Sequence, residues 1–410
     1  MRSAMKTERR FPYAVITAKQ QKSIRNNHPW VYEDEITEQS ENVENGALID
    51  VIGPKGQYLG TGLYSAASKI RIRILSRNAN EQFTDAFWQR RVKYAVDYRR
   101  DVMPEDWHAC RLIHGEADGL PGLTVDRYED ILVSEVLSYG IDQRKDIIYQ
   151  ALIDTLQEYG VHVRGICERN EGELRKREGL EQYKGWYRDI DPLNGKPVLI
   201  TENGIRYLVD VENGQKTGFF LDQKYNRRAI RTIAKGRDVL DLCTHAGTFA
   251  LNAAAAGAHH VTAVDISASA LESAAENARE NGLSNLVTFR EADVFEYLEQ
   301  AIAGHEKYGL VILDPPAFTK SRKTFSGARS GYLRINTLAM RLLARGSYFA
   351  TASCSHFMPK EEFLKMLEEA AQNAGVQIRI IEQRGAAFDH PVLCGVPETE
   401  YLKFFLLQVL

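Results

Sequence analysis

The chain lacks a CxxC pair, a long apolar run and any marked excess of charge. Its five cysteines, at positions 110, 167, 243, 354 and 394, are odd in number and too scattered for a disulfide framework or a zinc site. That excludes a stapled secreted scaffold and points to free thiols in a reducing compartment. No metal-ligand spacing occurs, and no stretch approaches the roughly 20 apolar residues of a membrane span. Met1 to Arg10 is basic but runs into Phe11-Pro12 with no apolar segment, so no secretory signal is expected. A cytoplasmic protein without a membrane partner is the expectation. Lys and Arg number 52 against 55 Asp and Glu, a net charge of -3. A nucleic-acid surface must therefore be a local basic stripe.

What is present is an ordinary globular composition, 44% hydrophobic and 26% charged over 410 residues, enough for two to three domains. Residues 1–75 carry short alternating runs (47–52, 58–64, 70–75) broken by Gly53-Pro54-Lys55-Gly56, which reads as a small β domain. Arg71 and Arg73 fall on one face of its last run. Residues 76–195 read as an α+β module: a cation-rich helix from Phe83 to Met103, short strands, one amphipathic helix over 141–159 and a strand from Val163 to Glu168. From 196 to 410 the rhythm changes. A hairpin around Glu202-Asn203-Gly204 is followed by apolar strands alternating with helices of 10–15 residues, the pattern of a doubly wound parallel sheet. Phe404–Leu407 adds a seventh strand with no helix after it, suited to antiparallel insertion.

Ligands of such sheets bind at the carboxyl ends of the strands. Asp241-Leu-Cys-Thr-His-Ala-Gly247 closes the first strand with one glycine, too few for a pyrophosphate fingerprint but sufficient for a ligand without phosphates. Asp265 closes the second, where a carboxylate can take two ribose hydroxyls, or can simply precede the helix cap at Ser267. Asp293 follows the third, in reach of an adenine amino group. Asp314-Pro315-Pro316-Ala317-Phe318 closes the fourth, an acid on a stiffened loop with an aromatic ring able to stack on a base. Ser353-Cys354-Ser355 closes the fifth, where a thiol is either a small apolar filler or a nucleophile.

Together these strand ends resemble the class I S-adenosylmethionine-dependent methyltransferases. Four further segments resemble the ribosomal RNA large subunit methyltransferase I family: His28-Pro-Trp-Val-Tyr32, Gly115-Glu-Ala-Asp-Gly-Leu-Pro-Gly-Leu-Thr-Val-Asp126, Asn213-Gly-Gln-Lys-Thr-Gly-Phe-Phe-Leu-Asp-Gln223 and Asp389-His-Pro391. The likeness runs nearly end to end. It implies a C-terminal Rossmann-like seven-stranded domain, an N-terminal β PUA domain and a central α+β module. It also implies S-adenosyl-L-methionine as cofactor and 5-methylcytosine in 23S rRNA, or in a large-subunit assembly intermediate, as product. By position, Asp241, Gly247, Asp265 and Asp293 match cofactor contacts, and Lys216, Thr217 and Phe220 lie in the segment that closes over it. Cys354 matches the nucleophile and Asp314 the acid beside the base. Cys243-Thr-His245 departs from the family's usual Tyr-Thr-Gly style.

Phe318 is the expected stacking residue for an extruded base. Lys69, Arg71, Arg73, Arg90, Arg91 and Lys93 are candidates for phosphate contacts, though each taken singly reads better as a solvated charged face. Lys320-Ser-Arg-Lys323 reads as a basic substrate loop or as a merely mobile one, and His356 as a neighbour able to tune Cys354 or equally as a solvated loop histidine. Two other readings stay open: a purine nitrogen methyltransferase using Asp314-Pro-Pro-Ala-Phe318 without a cysteine, and a non-catalytic assembly factor. A homodimer is admissible; the sequence does not set the oligomeric state.

Overall fold

The computed structural model describes residues 11–318 and 325–410, so the basic loop at 320–323 and the first ten residues lie outside the described residues. The chain divides into two compact units. The first comprises residues up to 198 with 209–219 and 388–399; the second comprises 199–208, 220–387 and 400–410.

The first unit holds a six-stranded and a five-stranded sheet. The alternating runs become the strands Leu48–Ile52, Tyr58–Tyr64 and Ile70–Ser76. Three strands that periodicity does not reveal join them, Tyr13–Ile16, Trp30–Tyr32 and Ile36–Gln39. At three or four residues each, they are too short to show alternation. Ala14, Ile16, Val31, Ile49, Val51 and Ile72 form the buried centre. The five-stranded sheet runs from Ala109–His114 through Leu123–Tyr128, Ile131–Val136 and Gly165–Asn170 to Tyr183–Trp186. The helix expected over 141–159 is two helices, Tyr139–Asp142 and Lys145–Glu158. The break has a cause. Arg144 folds back to donate to the carbonyls of Gly140 at 2.7 Å and Gly46 at 3.0 Å. Gly140 in turn lies so close to Leu63 that an added Cβ would sit 2.8 Å from it.

The second unit opens with residues 199–208 of the hairpin Val198–Glu202 and Ile205–Val209. Its turn residues Asn203 and Gly204 have φ of 54° and 78°, as the Asn-Gly pair requires. The large sheet follows, with β1 Asp238–Leu242, β2 His260–Asp265, β3 Val287–Glu291, β4 Tyr308–Leu313, β5 Leu343–Ser353, β6 Ile378–Arg384 and β7 Lys403–Val409. Their spatial order is β3-β2-β1-β4-β5-β7-β6, with β7 antiparallel to both neighbours. The strands buried at its centre read as unbroken apolar runs because helices cover both faces. Leu240, Leu242, Val311, Leu313, Phe349, Phe363 and Phe405 are among the fully buried side chains, each contributing about 1.5–3 kcal/mol by leaving water. The helix expected at 330–344 instead spans Phe325–Arg341, and β5 begins at Leu343. The order reverses direction between β1 and β4, so the crevice opens at the carboxyl ends of those strands.

Candidate active site

Asp241 is 1% exposed within β1. Its Oδ2 accepts from the Thr244 hydroxyl at 2.5 Å and the Ala250 amide at 2.9 Å. Its Oδ1 is buried with no hydrogen-bond partner among the described residues. Burial, reinforced by Asp314 and Asp265, pushes its pKa up to about 7. A buried carboxylate oxygen left without a donor is costly, so this atom is set up to receive a cationic or N–H donor from a ligand.

The loop after β1 is strained. Cys243 and His245 have φ of 63° and 51°, a left-handed conformation that costs a side-chain-bearing residue about 1–2 kcal/mol. His245 donates its amide to Asp265 Oδ2 at 2.9 Å, and its ring meets Phe220 edge-on at 5.2 Å. Gly247, at φ 75°, opens the helix Thr248–Ala255; a Cβ there would lie 3.0 Å from the Ala274 Cβ. Asp265 also accepts from the Ser267 amide at 2.9 Å, so two backbone donors fix its orientation while lone pairs remain for hydroxyl groups. Asp293 caps the helix Val294–Ala303, its Oδ1 taking the amides of Phe295 and Glu296 at 2.9 and 3.2 Å. Cys243 shows how far the acids converge. Burial raises its thiol pKa far above the ordinary value, and Asp265, Asp314, Asp241 and Asp293 raise it further. The crevice is thus acidic, which fits a cofactor carrying an ammonium and a sulfonium.

Asp314 follows β4 and accepts from Gln223 Nε2 at 3.0 Å. Gln223 Oε1 accepts from Asn226 at 2.6 Å, and Asn226 Oδ1 from Arg384 at 3.2 Å. Cys354, half-buried, comes directly after β5, the parallel neighbour of β4. Tyr332, buried on the helix Phe325–Arg341, stands near both: its phenol, pushed up to about 12 mainly by burial, also feels Cys354 and Asp314. The Ser353 hydroxyl donates to it at 3.1 Å. Phe318 packs its ring on Tyr332 at 4.6 Å. His356 is exposed, edge-on to Phe357 at 5.5 Å.

Not every expected residue joins this crevice. Phe220 does, through His245, and its carbonyl accepts from Arg227 at 2.9 Å, a guanidinium held in a buried two-pronged pair with Glu202. Lys216 and Thr217 belong to the first unit, where the Thr217 hydroxyl donates to Asp126 at 2.5 Å. Arg111 holds that same carboxylate in a two-pronged pair. Arg73 is 7% exposed, with both terminal nitrogens on Glu178 at 2.7 and 3.2 Å, and Arg71 pairs with Glu33. Their carboxylate partners turn both away from the free cationic face expected of them. Asp389 is buried as well, accepting from the Arg111 amide and His390 in the first unit. Gln223, Asn226, Arg227 and Tyr332 were not singled out by sequence. Gln223 at least lies inside the Asn213–Gln223 segment; the others leave no signal beyond ordinary helix periodicity.

This strand order, with β7 reversed, four acids converging at the carboxyl ends and a glycine opening the first helix, defines a class I S-adenosylmethionine-dependent methyltransferase. Residues 111–396 match the S-adenosylmethionine-dependent methyltransferase family and residues 15–77 the PUA-like domain. The chain belongs, more narrowly, to the ribosomal RNA large subunit methyltransferase I family. It is 38% identical to the protein of that name from Pseudoalteromonas atlantica, over 95% of this chain and 97% of the relative. It is 36% identical to that from Klebsiella pneumoniae, over 98% and 100%. Two solved structures share its fold at TM-score 0.81, covering 97% of this chain and 100% of theirs, at 21% and 22% identity. One is described as a SAM-dependent methyltransferase from Streptococcus mutans, the other as a methyltransferase complexed with SAH. The cofactor is S-adenosyl-L-methionine. Among the described residues no helix is long and apolar enough to cross a membrane.

Proposed function

We propose that the chain methylates carbon 5 of a cytosine in 23S rRNA, free or within a large-subunit assembly intermediate. Cys354 would be the nucleophile and Asp314 the acceptor for the base. The observation that carries this reading is the placement of Cys354 and Asp314 at the carboxyl ends of adjacent parallel strands, with Tyr332 near both. The names of the relatives support RNA of the large subunit as substrate, and the PUA-like domain supports RNA contact.

Asp241 would hold the amino group of S-adenosylmethionine through its buried Oδ1, Asp265 the ribose and Asp293 the adenine edge, with Gly247 letting the backbone approach. Phe220 would border the same loop. When bound, that cofactor supplies the methyl group that carbon 5 accepts. The residues do the rest. Asp314, oriented by Gln223, accepts from the cytosine N4 amino group. The Cys354 thiolate bonds to carbon 6 and drives the ring π pair onto carbon 5. Once carbon 5 is substituted, its proton leaves to solvent, the double bond reforms and the thiolate departs. Phe318 supplies an aromatic face next to the extruded base.

Rigorous separation of chemistries comes from Cys354→Ala with an RNA carrying 5-fluorocytidine. The wild-type chain should form a covalent complex with it, because fluorine cannot leave as a proton, and the alanine variant should form none and be inactive. Full activity of Cys354→Ala would instead select a purine nitrogen methyltransferase, with Asp314 to Phe318 sufficient. Absence of any heat on titrating S-adenosylmethionine would select a non-catalytic assembly factor.

A further inference from the structure

Lys403 takes no part in the chemistry above, and its surroundings are unusual for a lysine. It opens β7, is 4% exposed, and pairs in register with Ser353, the residue just before Cys354. Its ammonium donates to the carbonyl of Ser355 at 2.5 Å and to that of Tyr401 at 2.7 Å. The first of those contacts places the charge on the carbonyl of the residue that follows Cys354. Among the described residues Lys403 makes no ion pair, although a buried ammonium without a counter-ion loses several kcal/mol of solvation. A lysine kept here against that penalty has a reason to be sought in its neighbours.

The titratable groups around this turn come from four elements. Cys354 itself follows β5 directly. Tyr332, from the helix Phe325–Arg341, is neutral because burial holds its phenol up to about 12. Asp314, after β4, also acts on Tyr332. His356 lies two residues along the chain and is exposed. The exposed Glu400 precedes β7. Burial lowers the Lys403 pKa to about 8, and of the charges that oppose this lowering Cys354 is the larger and Glu400 the smaller. At neutral pH the lysine is therefore still cationic, and Lys403 is the ammonium of this group.

We propose that Lys403 is a positioning residue for the nucleophile: anchored by the Ser355 and Tyr401 carbonyls, its ammonium stabilises the thiolate of Cys354 and fixes the turn that presents it. The thiol proton passes to solvent and the lysine stays protonated throughout. The inference rests on Cys354 as nucleophile but has its own readout. A residue that only tied two strand ends together would leave the thiol's acidity unchanged.

The test uses the full chain. Alkylation of Cys354 by iodoacetamide is followed peptide by peptide by mass spectrometry from pH 6 to 10, which separates it from the other four cysteines. Lys403→Met should move the midpoint of the rate-against-pH curve up by about one unit, a tenfold loss of reactivity at pH 7. Lys403→Arg should restore most of it. In methyl transfer, kcat should fall about tenfold or more in the Met variant, with KM for RNA changed less than twofold. Should the Met variant fail to fold, Lys403→Gln keeps a polar contact and removes the same charge. An unshifted alkylation curve in a variant that still melts and binds S-adenosylmethionine like the wild type overturns the proposal, even where the 5-fluorocytidine complex forms. A shifted curve with no such complex would leave Lys403 standing and remove Cys354 as nucleophile.

Discussion

Gln223 donates its side-chain amide to Asp314 at 3.0 Å, across 91 positions of sequence, and is itself held by Asn226 at 2.6 Å. This link orients the acid proposed to face the base. Gln223→Ala should lower kcat by about 10- to 100-fold, a range typical of losing a group that orients a reacting residue. The affinity for S-adenosylmethionine, measured by calorimetry, should change less than twofold. Equal loss of both would show that the bond merely holds the fold.

Asp241 carries a pH prediction. Its pKa in the folded chain is raised from 3.8 to about 7, so the folded state binds the proton more tightly than the unfolded one. The ligand-free enzyme therefore loses stability as pH rises from about 4 to about 7, and the loss persists above that. Asp241→Asn removes it. At pH 8 the variant should be more stable by up to about 4 kcal/mol in urea unfolding, the difference should vanish near pH 4, and cofactor affinity should drop at least tenfold. A variant less stable than wild type at pH 8 would refute the assignment.

The Glu202–Arg227 pair is fully buried at 2.6 and 2.8 Å. Glu202→Ala should destabilise the second unit by about 3–5 kcal/mol, because an unpaired guanidinium is left inside. The double variant Glu202→Met, Arg227→Met should recover part of that, and chemical denaturation of the three variants reads the difference.

Arg73 offers a complementary case. With both guanidinium nitrogens on buried Glu178, Arg73→Ala should lower the melting temperature by several degrees, as breaking a buried pair does. The slope of RNA affinity against salt concentration should stay the same, whereas loss of a phosphate contact would reduce it by about 1. A reduced slope with unchanged melting would restore Arg73 to the RNA surface.

The legible parts of this protein were those that repeat. β1 to β5 are apolar runs between helices of regular period, so their ends, and with them Asp241, Asp265, Asp314 and Cys354, could be placed from spacing alone. Glycine at 247 was readable because a turn into a helix needs one. Arg73 misled because alternation marks a face of a strand without saying whether that face is wet, and in Ile70–Ser76 the later residues are buried on both. Gln223, Asn226 and Arg384 were silent for a different reason. Their contacts join residues 91 and 158 positions apart, and pairing at such distance leaves no periodic trace. The left-handed backbone at His245 was equally hidden, since histidine announces no such conformation.

The sheet is not assembled in the order in which it is made. β7, the last of the seven to be synthesised, lies between β5 and β6, so on the ribosome β6 has nowhere to dock until residues 403–409 have cleared the exit tunnel. A nascent chain of this enzyme therefore holds an open edge and lacks the lysine behind its candidate nucleophile. Closure of the sheet, and with it the arrival of that lysine, waits on the strand made last of the seven.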